Sequence, residues 1–234
     1  MTKGDPDGDS ERVPDEPHNF ESWSGELQIG KDLLALGSAT LGESGGRPMR
    51  SRIRPAWPGA KLAAPAVPVR CSPGDNLAIH VAVAKAPEGS VLVVDVGDVA
   101  ERGYWGEVLT TGAESRGLAG LVIDGGVRDI EAIEAHGFPV FSSAIALRGA
   151  TKRQAGTVGF PVAVGGAPVR LGDWVVGDHD GVTVVPGASL DEVLAAGRAR
   201  EAKEATMFER LRGGSTTVEL LGLDPGPVDI TGLG

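Results

Sequence analysis

The chain has 234 residues, a formal net charge of −10, 36 glycines and one cysteine. That length buries one sizeable core with appendages, and the acidity argues against a nucleic-acid binder, whose affinity rests on Lys and Arg neutralising phosphates. A lone Cys71 excludes an internal disulfide or a thiolate metal cluster, and no apolar run approaches the ~20 residues of a membrane span.

Residues 1–20 mix Asp, Glu, Pro, Gly and Ser with hardly any large apolar residue, which predicts a disordered acidic tail. The same stretch lacks the apolar segment of a secretory signal, so a cytoplasmic protein is expected. One α/β/β domain is expected over 21–188, a helical arm over 189–222 and a tail over 223–234. Early in the domain a helix is predicted near Lys31–Leu36, a glycine-rich loop at Gly42–Pro48, and short proline-broken strands over Ala56–Val69. Asp75 is a predicted N-cap for a helix running through Leu77 and Ile79 to Lys85. Cys71, with no histidine in a catalytic signature nearby, reads as a small packed or partly exposed residue.

The centre is more regular. Ser90–Val96 is a β-branched run, hence a buried strand; a helix over about Gly106–Arg116 and a second buried strand, Ala119–Ile123, follow. Asp124-Gly125-Gly126 reads as a turn into a helix over Asp129–Ala135, and a third strand begins at Val140. Strands alternating with ten-residue helices predict right-handed βαβ units and a parallel sheet. Val162–Val164, Trp174–Val176 and Val182–Val185 read as later strands, with Gly177–Gly181 as a hairpin connection. Ser189 and Glu192 have capping-box spacing for a long, heavily charged helix ending at Gly213-Gly214.

Two segments have the residue types for chemistry. In Trp105-Gly106-Glu107-Val108-Leu109 a glycine precedes a helix start, where the amides of Val108 and Leu109 could hold a carboxylate. Asp124-Gly125-Gly126-Val127-Arg128-Asp129 follows the carboxyl end of a buried strand, the usual ligand position in α/β sheets. There Arg128 offers a planar fork to an oxyanion and Asp129 a hard ligand to a cation. A locally paired Arg128 and a helix-capping Asp129 explain the same residues equally well. Among the histidines, His80 reads as packed, His136 as a helix-end cation, His179 as a turn residue and His18 as part of the tail; no pair has metal-ligand spacing. Lys152 and Arg153 are candidates for a second substrate carboxylate.

From about Ala56 to Leu221 the sequence resembles the aldolase family that cleaves 4-hydroxy-4-methyl-2-oxoglutarate and 4-carboxy-4-hydroxy-2-oxoadipate, a superfamily that includes the regulators of ribonuclease activity A. The resemblance is carried by WGEVL at 105–109, RGLAGLVIDGGVRD at 116–129, GDHDGVTVVP at 177–186 and, more weakly, GDNLAIHVA at 74–82. It implies a swivelling-domain-like α/β/β sandwich with a mixed central sheet. It also implies a Mg²⁺- or Mn²⁺-dependent lyase that yields pyruvate through a metal-stabilised enolate and decarboxylates oxaloacetate. By the same resemblance, Arg128 and Asp129 are catalytic, Asp129 ligates the metal, Glu107 reaches it through water, and Gly106, Glu107, Val108, Leu109 and Arg128 bind the substrate. Glu204, with Glu201 as the neighbouring alternative, is implied as a water-mediated metal partner donated by the arm of an adjacent subunit in a homotrimer or hexamer. A metal-bound water assisted by Glu204 or Asp129 is the candidate base. The chain departs from the family's T-x-x-D-A pattern at Thr40–Ser44, where Glu43 stands. The alternative function is non-catalytic regulation of a ribonuclease by protein–protein binding; a complete helix with Glu204 favours the lyase.

Overall fold

The computed structural model describes residues 23–233; the expected acidic tail lies outside them. Six helices occur among the described residues: α1 Trp23–Glu43, α2 Leu77–Lys85, α3 Glu107–Glu114, α4 Ile130–His136, α5 Leu190–Arg212 and α6 Thr217–Leu221. The strands are β1 Arg47–Pro48, β2 Arg54–Pro55, β3 Leu62–Arg70, β4 Val91–Asp95, β5 Gly103–Trp105 and β6 Gly120–Val127, followed by β7 Val140–Ile145, β8 Thr157–Val158, β9 Val162–Val164, β10 Ala167–Val169, β11 Trp174–Gly177 and β12 Val182–Val185. The main sheet runs β1-β12-β11-β3-β4-β6-β7-β2, with β5 on β6 and β8 on β3, while β9 and β10 form a separate antiparallel pair. Pairing is parallel across β3, β4, β6 and β7 and antiparallel on both flanks. The fold is the mixed α/β/β sandwich expected from the sequence.

Period-two alternation sorts the strand residues into layers. Val67, Val69, Leu92, Val94, Leu121 and Ile123 face α2, α3 and α4. Their neighbours Ala64, Ala66, Val91, Val93 and Val122 face the opposite way, into a core closed by Val162, Val164, Val169, Val175 and Val184. The sheet curls around this second core. Trp174, Val176 and Val185 point outward from the curled part and are covered by α1 and the start of α5, through Leu33, Leu41, Val193 and Leu194. β4 and the first half of β6 are buried on both faces, as β-branched runs in parallel sheets are.

Several local expectations change. In place of short strands over Ala56–Val69, one nine-residue strand, β3, runs from Leu62 to Arg70 with Pro65 and Pro68 inside it. The Ala66 N–H donates to Asp173 O, so the Pro65 nitrogen points the other way, where pairing with β4 begins only at Ala66. The Pro68 nitrogen falls in the gap between the end of β11 pairing at Pro65 and the start of β8 pairing at Val69. Neither proline takes a place that requires a donor. The helix expected at Lys31–Leu36 is part of α1, which breaks at Gly37 (φ 79°, ψ 161°). There Asp178 accepts hydrogen bonds from the Ser38 N–H (2.7 Å) and Ser38 Oγ (2.6 Å), capping the second half of the helix from a hairpin 140 residues away. Burial opposes ionisation of Asp178, but these bonds and those from its own turn outweigh it and lower its pKa.

Asn76, one residue beyond the expected Asp75, is the N-cap of α2; Asp75 Oδ1 still accepts the Leu77 N–H at 2.9 Å. The capping box expected at Ser189 does not form, because a 3-10 turn over Gly187–Ser189 leads into α5 and leaves the Ser189 side chain unbonded to the helix. A capping box forms instead at Thr216 and Glu219, opening α6. Buried residues of α5 are confined to Val193, Leu194 and Gly197. Among the described residues no helix is long and apolar enough to cross a membrane. Cys71 is packed, 4% exposed, and burial pushes its thiol pKa up to about 12.

Candidate active site

Asp124-Gly125-Gly126 is not a turn. β6 continues through it to Val127, taking three steps from Ile123 to Gly126 where β7 takes two from Ser142 to Ala144. That extra residue is a bulge, and the glycines are required by crowding rather than by a positive φ. A Cβ on Gly125 would lie 2.8 Å from Val96 Cγ2, and one on Gly126 would lie 2.5 Å from Arg102 O and 2.7 Å from Ala146 Cβ. Asp124 faces the opposite side of the sheet from the site and pairs with Arg52.

Beyond the bulge, backbone geometry places the two charged residues. The Arg128 N–H donates to Trp105 O at 3.0 Å, joining the end of β6 to the segment that becomes Gly106 and α3. Trp105 is itself fixed, buried against Phe138 with ring centroids 6.0 Å apart and its Nε1 on Thr110 Oγ1 at 2.8 Å. Among the described residues, Asp129 is the one non-glycine residue with positive φ, at 58°. That conformation costs about 1–2 kcal/mol for an ordinary side chain. Asp129 is the N-cap of α4 by position, yet its side chain does not cap that helix. Its Oδ2 accepts the Glu107 N–H at 3.1 Å, at the start of α3, and lies 3.7 Å from Arg128 Nε. A Cβ on Gly106 would collide with Asp129 Oδ2, so only glycine admits this contact.

Arg128 lies along a slot lined by glycine. A Cβ on Gly103 would be 3.0 Å from Arg128 Cδ, one on Gly106 3.2 Å from Cγ, and one on Gly149 3.4 Å from Nη1. Parallel bridges from Gly103 to Gly149 and from Asp75 to Thr151 hold the loop beyond β7 against this slot. Asp75, 1% exposed, anchors that loop by accepting from Thr151 Oγ1 (2.7 Å) and the Arg153 N–H (2.6 Å). Burial alone would raise its pKa; these bonds and the Leu77 amide win and lower it to about 2.

These elements enclose a cleft of about 170 Å³ lined by Gly106, Val108, Leu109, Arg128 and Asp129 from the expected site. The Leu109 N–H is already used, donating to Gly106 O at 3.1 Å, whereas among the described residues no acceptor meets the Val108 N–H. Glu107 contributes its amide, while its half-exposed carboxylate turns toward His136, 4.0 Å away. His136, in the last turn of α4, also contacts Glu114 at 2.7 Å. Lys152 lines the cleft; Arg153 does not. Glu204 lies on α5 outside the cleft, bonded to Arg200 at 2.8 Å, and Arg200 also pairs with Glu43. Among the described residues no group of three or more His, Cys, Asp or Glu side chains could hold a metal ion by itself.

Sequence reasoning passed over Asn76 and His80, both of which line the cleft. Asn76 is 5% exposed with Oδ1 unbonded, and His80 Nε2 is buried and likewise unbonded. Burial, reinforced by Lys152, lowers the His80 pKa and keeps the imidazole neutral at neutral pH. GDNLAIHVA carries both residues one helical turn apart, a spacing that puts them on one face of α2.

A family model described as Aldolase/RraA, RraA-like, matches residues 32–184. Over 156 residues the chain is 35% identical to a Halalkalibacterium halodurans protein provisionally named 4-hydroxy-4-methyl-2-oxoglutarate aldolase, covering 67% of this chain and 74% of that one. A Burkholderia multivorans protein of the same provisional name is 34% identical over 154 residues, covering 66% and 89%. Among solved structures, the chain is similar to the RNA-processing inhibitor RraA from Thermus thermophilis, with a TM-score of 0.59 and 25% identity over 64% of this chain and 92% of that one. Streptomyces coelicolor RraAS2, described as an unusual member of the RNase ES inhibitor family, gives 0.66 and 26% over 78% and 96%. The match over most of the domain, with relatives above 30% identity, places the chain in the RraA-like aldolase family.

Proposed function

We propose that the chain is a cytoplasmic lyase that cleaves 4-hydroxy-4-methyl-2-oxoglutarate or a related 4-hydroxy-2-oxo dicarboxylate to pyruvate, and that it decarboxylates oxaloacetate at the same site. The observation that carries this reading is the convergence of Arg128, a strained Asp129 and the unbonded Val108 amide on one cleft. The relatives' provisional names agree with it.

The donor chemistry suits a hard divalent cation, Mg²⁺ or Mn²⁺. Asp129 offers carboxylate oxygen at the mouth of the cleft, and a cation of this kind accepts a single carboxylate with water and substrate completing its shell. On this reading Glu107 acts through such a water, its carboxylate swinging away from His136 to do so. When bound, the ion supplies Lewis-acid polarisation of a 2-oxo acid. The chain's own residues do the rest. The Val108 amide at the start of α3 receives the 1-carboxylate. Arg128, held flat by its glycine slot, faces the charge that develops on the 2-oxo oxygen as the C3–C4 bond breaks and its electrons pass into pyruvate enolate. Lys152 is available to a second carboxylate at the cleft rim.

On this reading Glu204 acts on the cleft of a second copy, carried there by α5 in a homotrimer or hexamer. The exposed outer half of α5 supports the idea of an arm that needs another surface. The second reading, a non-catalytic ribonuclease regulator, is favoured by the likeness to RraA structures.

The test is pyruvate release from 4-hydroxy-4-methyl-2-oxoglutarate and from oxaloacetate, with Mg²⁺ or Mn²⁺ and then with EDTA. Metal-dependent turnover lost in Arg128→Ala and Asp129→Ala supports the lyase. Turnover no greater than the metal-only background on both substrates overturns it and leaves the regulator.

A further inference from the structure

One wall of the Arg128 slot is less secure than the others. Gly103 and Gly106 are buried on and beside β5, whereas Gly149 belongs to the loop beyond β7, where residues 147–157 are exposed apart from the half-buried Ala150. Backbone bonds flank Gly149: the Gly103 N–H donates to Arg148 O at 2.8 Å, and the Thr151 N–H to Gly74 O at 2.9 Å. Between them, the Gly149 carbonyl accepts a hydrogen bond from Arg102 Nη1 at 3.1 Å.

Arg102 reaches that carbonyl from a fixed base. Its N–H and that of Gly126 both donate to Ala100 O, at 2.9 and 2.8 Å, which ties residue 102 to the bulge of β6. Its side chain then crosses Gly74, where a Cβ would lie 3.2 Å from Nε. One guanidinium therefore touches both segments that the Asp75–Thr151 and Gly103–Gly149 bridges draw together. Among the described residues no carboxylate lies within ion-pair distance of Arg102, although the chain carries a net charge of −10. Arg102 does not line the cleft either, so it is not a substrate contact. On the other side of Gly149 lies Arg128, whose Nη1 would be 3.4 Å from a Cβ placed there.

We propose that Arg102 is a positioning residue for Arg128: by holding Gly149 O it fixes the outer wall of the slot and, with it, the plane of the Arg128 guanidinium. This inference rests on the lyase reading above, in which Arg128 faces the charge developing on the 2-oxo oxygen. A contact that matters only as that charge develops acts on kcat. A cation that merely draws an anionic substrate toward the cleft acts on KM and is screened by salt.

Steady-state kinetics on the full chain with Mg²⁺ and oxaloacetate, at low and high salt, separates the two. Arg102→Met keeps the length of the stem and removes the donors; Arg102→Gln keeps donors but is too short to reach Gly149 O. Both are expected to lower kcat about tenfold at either salt concentration, with KM changed by less than about twofold. Arg102→Lys, which returns a donor close to the Nη1 position, is expected to recover most of that loss. In an Arg128→Ala background, Arg102→Met is expected to cost nothing further. Thermal melts accompany each variant, and the comparison of Gln with Lys decides the matter if Arg102→Met does not fold. A loss confined to KM and erased by salt, an unchanged kcat, or an Arg102→Lys variant as slow as Arg102→Met overturns the positioning role and leaves the lyase intact. Failure of the unaltered chain to release pyruvate removes the lyase reading and this inference with it.

Discussion

At the cleft, Arg128 and Asp129 are set by backbone: a bulged strand end, three glycines that admit the arginine stem, and an amide of α3 held by the aspartate. Along α5 past Gly197, the named contacts to the rest of the protomer are charged, Arg198 to Asp32 at 2.7 Å and Arg200 to Glu43. The first arrangement is insensitive to salt and intolerant of a single added methyl. The second is screened by salt, worth little per pair, and tolerant of change. The contrast shows where the molecule fixes geometry by backbone crowding and where it relies on exposed ion pairs.

The strongest way to break this comparison is Asp129→Gly. Glycine relaxes the left-handed backbone, so stability by urea titration is expected to hold or rise by up to about 1 kcal/mol, while pyruvate release falls about 10³-fold. Retained activity would mean that the cleft is not the site. Gly106→Ala comes next. Its methyl displaces the Asp129 carboxylate and shifts the start of α3, and a loss of about 10²-fold in kcat is expected from misplacement of about an ångström.

Asp75→Ala sharpens the same side of the comparison through stability. It strands the Leu77 and Arg153 amides and the Thr151 hydroxyl, at a cost of about 2–3 kcal/mol in chemical denaturation. Asp75 also carries a pH signature. Its folded pKa, about 2, is below the ordinary carboxylate value, so its contribution is fully present above that ordinary value and is lost as pH falls through about 2. An acid titration of the melting temperature should lose that step in the Asp75→Ala variant.

The arm is expected to respond more weakly. Glu204→Gln should reduce aldol cleavage about tenfold and oxaloacetate decarboxylation less, since only the aldol reaction requires removal of a hydroxyl proton. Smallest of all, Arg200→Ala should change protomer stability by about 0.5 kcal/mol, and less in high salt. A large effect there would show that the arm's ion pairs fix geometry as firmly as the cleft's glycines do.

Much of this arrangement was legible in the sequence. β4 and the first half of β6 are plain β-branched runs, and the motif ending in Arg128-Asp129 marks the cleft at the carboxyl end of the sheet. The misreadings have a common cause in contacts distant along the chain. Gly125 and Gly126 resemble a turn because their actual constraint is the approach of Val96, Arg102 and Ala146. Pro65 and Pro68 break a strand by local rule, but the staggered ends of β11, β8 and β4 leave both nitrogens without an obligation. His80 reads as packed and its Nε2 is buried; the local sequence does not show that this nitrogen and the oxygen of Asn76 are left without a partner among the described residues.

The break in α1 at Gly37 has a reach beyond that helix. The half that follows it is tethered to the β11–β12 hairpin through Ser38 and Asp178, and it ends in Glu43, which pairs with Arg200, which in turn holds Glu204. A relay of five side chains thus runs from a surface turn to the carboxylate on the arm. Lowering the pH through the depressed pKa of Asp178 uncouples the relay at its first link, so acid should slacken the arm while the curled sheet is still folded.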